Sequence, residues 1–296
     1  MRHMRKEFQS TRPGGLQIDS FPYQLYQKAK RAGTWNPESI DFSKDKKDWE
    51  RMTEQQKEEI RARSSSFLAG EEAVTVDLLP LIMVIAKEGR LEEEMYLTTF
   101  LFDEAKHTEF FRLFLNEIGE TDDLSRYHSP AYRKIFNEML PESMNRLLHD
   151  ASPEAIVDAA TTYNMFVEGV LAETGYASFH EGLDKSGLMP GLMEGIGYLK
   201  LDESRHISYG TYLLQRLIHE KPSLFDRFVK KMEELAPYGM EIVSRYQEGI
   251  SPLGVDMKKI RRFAEKQINV RIEILSRAKN GTFDPTSPDP LSSDGL

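Results

Sequence analysis

Asp103-Glu104-Ala105-Lys106-His107 and Asp202-Glu203-Ser204-Arg205-His206 repeat one pattern, D-E-x-basic-H, 99 residues apart. On an α-helix, positions i and i+3 share a face, so each Glu-x-x-His can aim a carboxylate oxygen and an imidazole nitrogen at one point. The neighbouring residues tell which way that point lies. The first pair sits in the stripe Leu97, Leu101, Glu104, His107, Phe111, Phe114 and Ile118, the second in Leu192, Ile196, Leu199, Glu203, His206, Gly210, Leu213 and Leu217. Both stripes step by three and four, and their only polar members are the Glu and the His. A bare carboxylate on a core face costs several kcal/mol unless it is paired or binds a metal. Two equivalent violations therefore point to a metal site rather than to a solvated surface.

A Glu-x-x-His pair from each of two helices, joined by one Glu from each of two more, is the ligand set of four-helix dinuclear metal-carboxylate bundles. Two further buried glutamates are expected, each one helix and a turn before its pair. Glu71 lies 33 residues before Glu104, among Phe67, Val74, Leu78 and Leu81; Glu168 lies 35 before Glu203, among Val157, Thr161, Met165, Ala172 and Phe179. Glu72 competes with Glu71, because Leu68, Val76 and Leu79 would give it an apolar face as well, and spacing alone does not choose. Four ionised glutamates offset two divalent cations, leaving a formally neutral cluster with both histidines uncharged. One imidazole per metal in an oxygen-rich site suits iron or manganese, whereas zinc favours tetrahedral nitrogen and sulfur ligation. Asp103 and Asp202 stand as acceptors for the ring N–H of the ligating histidines or, equally, as surface salt-bridge partners of Lys106 and Arg205.

The rest of the chain reads as long helices punctuated by glycine and proline. Thr53-x-x-Gln56 is a capping box opening a helix to about Lys87, stopped at Gly89, with Pro80 inside it as a kink point. Helices follow over about Leu91 to Ile118, closed by Gly119, and about Ala131 to Leu148. Ser152-Pro153 starts another to about Gly182. Pro190 opens one ending near His219, and about Pro222 to Tyr246 and Asp256 to Lys279 complete a set of six or seven. No stretch alternates long enough for a sheet, so an all-α bundle with additional helices is expected, as a single domain over residues 21–280. Residues 1–20 and the tail 281–296, rich in Ser, Pro and Asp, are expected to be poorly ordered.

Composition narrows the partners. Asp plus Glu exceed Lys plus Arg by 48 to 39, a formal charge of −9 that repels phosphate backbones and anionic membrane surfaces, so nucleic acid is not an expected partner. With no cysteine, disulfides, thiolate catalysis and iron–sulfur clusters are impossible, and a reducing, cytoplasmic setting fits. The N-terminus has no apolar core segment of a secretory signal. Val74 to Ala86, the greasiest stretch, is broken by Asp77 and Pro80 and falls short of the roughly 20 residues of a spanning helix, so the chain is not expected to span a membrane.

The run Ala69-Gly70-Glu71-Glu72-Ala73-Val74-Thr75, the two D-E-x-basic-H segments, and Tyr163-Asn164-Met165 leading to Val167-Glu168-Gly169 resemble the ligand-binding oxidases related to the ribonucleotide reductase small subunit. Trp35-Asn36-Pro37 with Ile40-Asp41-Phe42 is also similar to theirs, and the likeness runs from about residue 20 to 280. It implies a ferritin-like helical bundle holding one manganese and one iron ion, with di-iron as the variant. It further implies a long-chain fatty acid whose carboxylate bridges the metals, and activation of dioxygen. A two-electron oxidation then joins a tyrosine oxygen to the β-carbon of a valine in an ether cross-link. By that resemblance Glu71 rather than Glu72 is the ligand, joined by Glu104 and His107 at the manganese position, while Glu168, Glu203 and His206 hold the iron. Val74 and Tyr163 match the cross-linking pair. Val74 is one turn from Glu71 on an α-helix; Tyr163, five residues from Glu168, would lie well round such a helix, so its role rests on the resemblance alone. A homodimer is implied too, and the electron donor and physiological substrate stay unidentified.

The nearest rival is a ribonucleotide reductase small subunit of the manganese/iron type. Radical-storing members place a tyrosine four residues after the first ligating histidine, where this chain has Phe111, and their tails carry a further tyrosine, whereas none follows Tyr246 here. A fatty-acyl desaturase or hydroxylase on the same bundle is a second rival. An iron-storage protein is a third, poorly suited to a chain with this many extra helices.

Overall fold

The computed structural model describes residues 15–244 and 249–279. The expected disorder of residues 1–14 and of the tail lies outside these; residues 15–20 form a turn in which the Gln17 N–H donates to Glu92 Oε1 at 2.9 Å. The helices are α1 (Phe21–Ala32), α2 (Ser43–Arg51), α3 (Glu54–Lys87), α4 (Leu91–Glu117), α5 (Pro130–Arg133), α6 (Leu140–Arg146), α7 (Pro153–Ala160), α8 (Glu173–Phe179), α9 (Pro190–Glu220), α10 (Leu224–Val243) and α11 (Met257–Lys279). Among the described residues there is no strand, only one isolated bridge between Ile250 and Asp256. The fold is the expected all-α, ferritin-like bundle with additional helices.

Local signals set the long elements. Thr53 and Gln56 form the expected reciprocal cap of α3, and Ser152 caps α7 through the Ala155 N–H. Gly89, at φ 74°, and Gly119, at φ 84°, end α3 and α4 in the left-handed conformation that favours glycine. Two expected helices are interrupted. The one near Ala131 to Leu148 contains a π-helical turn, Lys134–Met139. The one from Ser152 to about Gly182 contains two, Thr161–Ala172 and His180–Asp184. Two helices were not expected, α1 and α2.

Four stretches surround the interior: α3, α4, the run from α7 through the first of those π segments to α8, and α9. Glycines let α9 come close to two of the others. A Cβ on Gly195 would sit 2.0 Å from the Phe110 ring of α4, and one on Gly210 would sit 2.2 Å from Asn164 in the π segment. Phe110, Phe114, Leu192, Ile196 and Leu199 are fully buried around the first approach, each contributing roughly 1.5–3 kcal/mol of burial. α3 faces two ways. Glu71, Val74, Leu78 and Leu81 are buried, while Glu72, Val76, Leu79 and Met83 point outward. Among the described residues no helix is long and apolar enough to cross a membrane.

α2 acts as a cap for a helix far away in sequence. Asp45 Oδ2 accepts from the Gly191 N–H at 2.9 Å and Oδ1 from the Leu192 N–H at 2.7 Å, while Asp48 Oδ2 accepts from the Met189 N–H at 3.0 Å. Three of the unpaired donors that open α9 are thus satisfied by carboxylates at its positive end. Asp45→Ala would leave two buried N–H groups unpaired, and we expect it to destabilise the fold by about 1–3 kcal/mol. A lowered urea midpoint at unchanged slope would register that loss; an unchanged midpoint would mean that water replaces the cap.

Candidate metal centre

The structure brings Glu71 of α3, Glu104 and His107 of α4, Glu168 of the π segment, and Glu203 and His206 of α9 into one buried cluster, none of them more than 5% exposed. Two groups of potential ligand atoms overlap there: Glu71, Glu104, His107 and Glu203 in one, Glu104, Glu168 and His206 in the other, the atoms of each lying within 4.8 Å of one another. An ion about 2.1 Å from each ligand would hold opposed ligands about 4 Å apart, so little adjustment is needed. Glu72, the competitor of Glu71, is exposed.

Two glutamates reach both histidines. Glu104 Oε1 is 3.2 Å from His206 Nδ1 and its Oε2 is 3.7 Å from His107 Nδ1; Glu203 Oε1 is 3.8 Å from His107 Nδ1 and its Oε2 is 3.6 Å from His206 Nδ1. Glu71 Oε2 adjoins only His107 Nδ1, at 3.4 Å, and Glu168 Oε1 only His206 Nδ1, at 3.7 Å. Glu104 and Glu203 thus lie near both imidazoles, whereas Glu71 and Glu168 each adjoin one.

The donor atoms are left without ordinary partners. Glu104 Oε2, His107 Nδ1, Glu168 Oε1, Glu203 Oε2 and His206 Nδ1 are all buried with no hydrogen bond, a costly condition for polar atoms in a dry interior. Protons are drawn into the gap. Burial, reinforced by Glu104 and Glu203, pushes the Glu71 carboxyl well above its usual range, and burial with the Glu203 charge does the same to Glu168. Burial works against charge on both imidazoles. The Glu71 charge for His107, and for His206 the Asp103 carboxylate facing Nε2 with the Glu104 carboxylate beside Nδ1, outweigh it and raise both rings well above normal. A cluster so short of positive charge suits two metal ions in hard oxygen and imidazole ligation.

Each histidine is braced by the aspartate of the other repeat. His107 Nε2 lies 3.3 Å from Asp202 Oδ2, and His206 Nε2 lies 3.4 Å from Asp103 Oδ2. With Nε2–H given to the aspartate, Nδ1 is the ring atom turned to the glutamates. Asp103 and Asp202 are salt-bridged as well, but not at the surface. Lys106 Nζ reaches Asp103 at 2.9 Å, Asp202 at 3.2 Å and the Gly33 carbonyl at 2.8 Å; Arg205 Nη2 reaches Asp103 at 2.9 Å and also Asp202. Both cations are buried, so the expected surface salt bridges are internal ones, made by the same aspartates that face the histidines.

The π segment changes the geometry of Tyr163. Its Glu173 N–H bonds the Glu168 carbonyl five residues back, and bonding of that period brings residues five apart nearly into line. Tyr163 accordingly faces the cluster: its hydroxyl donates to Glu104 Oε1 at 3.1 Å. The expectation from α-helical spacing fails because the helix there is not α. Three further side chains serve the cluster. Asn164 Nδ2 donates to Glu168 Oε2 at 3.0 Å, the Tyr176 hydroxyl donates to Glu203 Oε1 at 3.3 Å, and Trp35 Nε1 donates to Asp202 Oδ2 at 2.8 Å. Of these only Asn164, one helical turn before a candidate ligand, was open to reading from spacing. Phe111 is fully buried and stacked on Phe67, with no phenol at that position.

A cavity with mostly apolar walls leads to the carboxylates. Phe67, Val74, Phe136, Val167, Leu171 and Ile242 line it together with Glu71, Glu104, Glu168 and Glu203.

Comparison with known proteins agrees with this geometry. The family model for the ribonucleotide reductase small chain matches residues 19–279. Among solved structures, an R2-like ligand-binding oxidase, a tyrosine-to-phenylalanine variant with an anaerobically reconstituted Mn/Fe cofactor, is 43% identical at a TM-score of 0.86, covering 91% of this chain and 98% of its own. Another R2-like ligand-binding oxidase, with an aerobically reconstituted Mn/Fe cofactor, is 42% identical at 0.86, covering 91% and 97%. A glycine-to-leucine variant with an Fe/Fe cofactor is 41% identical at 0.85, covering 90% and 98%. This chain belongs to the ribonucleotide reductase small-chain family, among its R2-like ligand-binding oxidases.

Proposed function

We propose that this protein is a dioxygen-using oxidase with one manganese and one iron ion held by Glu71, Glu104, His107, Glu168, Glu203 and His206. The observation that carries the reading is the set of five buried, unpartnered donor atoms converging from three helical stretches, with the Glu71 carboxylate of α3 beside them. Glu71, Glu104 and His107 would hold the manganese, and Glu168, Glu203 and His206 the iron. When bound, the metals supply the reducing electrons and the Lewis-acid positions needed to activate dioxygen. The chain's own residues provide the rest: the crossed aspartates fix the imidazole tautomer, Asn164 and Tyr176 orient two carboxylates, and the packed aromatic interior excludes water.

A long-chain fatty acid or similar lipid is the proposed ligand. In support, the cavity is apolar along most of its wall and ends at the carboxylate cluster, where cations would attract a single anionic headgroup. Fatty acid extracted from the purified, metal-loaded protein would support this assignment, and its consistent absence would remove it.

Val74 and Tyr163 are the proposed cross-linking pair. Val74 lines the cavity beside Glu71 and Glu104, and the Tyr163 hydroxyl touches Glu104, which could take its proton. One C–H and one O–H bond break, one C–O bond forms, and two electrons and two protons pass to dioxygen. Aerobic loading with manganese and iron should therefore lower the intact mass by two hydrogens relative to anaerobic loading, and Tyr163→Phe should show no such loss. An unchanged mass in the unmutated protein would overturn the cross-link. Glu104→Ala removes an oxygen near each histidine; we expect at least one ion to be lost, by elemental analysis, together with all cross-linking.

A homodimer is the proposed assembly. The outward face of α3 exposes Val76 at 64%, Leu79 at 46% and Met83 at 50%, one apolar stripe at helical spacing, as expected of a surface covered by a partner. Light scattering should give twice the chain mass, and Leu79→Glu should shift it toward that of one chain.

A further inference from the structure

We propose that Arg271 is a positioning residue for the metal centre: its guanidinium holds the Gly169 carbonyl out of α-helical register and so keeps Glu168 aimed into the cluster. This rests on the dinuclear reading above. Arg271 belongs to α11, which supplies none of the six candidate ligands, yet it is 5% exposed and packs on the π segment that carries Glu168.

The backbone bonding explains why a donor is needed there. In an α-helix the Glu173 N–H would bond the Gly169 carbonyl, four residues back. Here that N–H goes to the Glu168 and Val170 carbonyls on either side of it, and Arg271 Nη2 donates to Gly169 O at 3.0 Å instead. The guanidinium lies close against the backbone at this point. A Cβ on Gly169 would sit 2.6 Å from Arg271 Nε and 3.4 Å from Cζ, so only glycine leaves room for it. Among the described residues no carboxylate comes within ion-pair distance of Arg271, and its Nε has no hydrogen-bond partner. Burial brings its pKa down to about 10, opposed by the Glu173 charge, which leaves it a cation at neutral pH. A buried, incompletely paired guanidinium is an expensive way to fill space. What it does is stand in for the N–H that the wide helical turn takes away.

Without that substitute, the Glu173 N–H can return to Gly169 O. The segment then winds toward α, and Glu168 rotates relative to Asn164, Tyr163 and the cluster. The ion between Glu168 and His206 loses a ligand, whereas Glu71 and His107, on α3 and α4, are untouched.

The test is metal content and affinity after loading with manganese and iron, with anomalous scattering at both edges to show which position is filled. Unmutated protein should hold two ions. Arg271→Met should lose the ion beside Glu168, its affinity falling about ten- to hundredfold as for other residues that orient ligands, while the ion beside Glu71 and His107 remains. Arg271→Lys keeps a cation and an N–H donor and should recover part of the loss. Gly169→Ala should reproduce the Met phenotype by displacing the guanidinium, and it carries the test if circular dichroism finds the Met variant unfolded. Two ions bound at unmutated affinity in Arg271→Met, even with a lowered melting temperature, would reduce Arg271 to packing and overturn the inference. Fewer than two ions in the unmutated protein would overturn this inference and the dinuclear reading together.

Discussion

Everything in this molecule is arranged around a shortage of positive charge. Glu71, Glu104, Glu168 and Glu203 are buried together with only two imidazoles turned toward them, and in a low-dielectric interior such a set is tolerable only if protons or cations enter it. Without ions, protons are drawn onto the imidazoles and two of the carboxyls. Two divalent ions would restore neutrality without them. The site is therefore linked to proton release, since each ligand must give up its proton before it can bind a metal.

Outside the ligands lies a second layer of charge that is complete in itself. Asp103, Asp202, Lys106 and Arg205 form two opposite pairs, all buried, with hydrogen bonds joining members of both repeats. Their crossed contacts to His107 and His206 make α4 and α9 interdependent: neither histidine keeps its orientation unless the other helix is in place. Such a closed network holds geometry more than it adds stability, because burying the charges offsets most of their attraction. Trp35 and the Gly33 carbonyl extend it into the segment after α1.

Most of the cluster was legible because it violates an otherwise apolar pattern. Glu104, His107, Glu203 and His206 stand out as the only polar members of regular stripes, and Glu168 follows by arithmetic. Glu71 and Glu72 could not be separated by periodicity, because α3 is apolar on both sides, and the outward side is now seen to be Val76, Leu79 and Met83. α2 escaped notice because nine residues with seven charges offer almost no apolar stripe, though two of those charges cap α9. The crossing of each aspartate to the opposite histidine spans about a hundred residues in sequence, and nothing local encodes it. Lys106 and Arg205 were visible only as residues beside an acid.

The π segment is where local rules misled, and the reason is instructive about how the site is built. On a helix of fixed α period, Tyr163 and Glu168 would face different ways. One helical run is instead asked to put Glu168 on the metals, place the Tyr163 hydroxyl on Glu104, and give Asn164 a hold on Glu168. An α-helix brings residues four apart together but not residues five apart; a wider turn, with a small loss of backbone hydrogen-bond quality, accommodates both pairs. That loss has to be made good by something outside the helix. At Gly169 the outside donor is Arg271, and at Asn164 the close approach of α9 depends on Gly210. Departures from α geometry persist only where neighbouring elements impose them, so the shape of this segment is a property of the packed bundle rather than of its own residues.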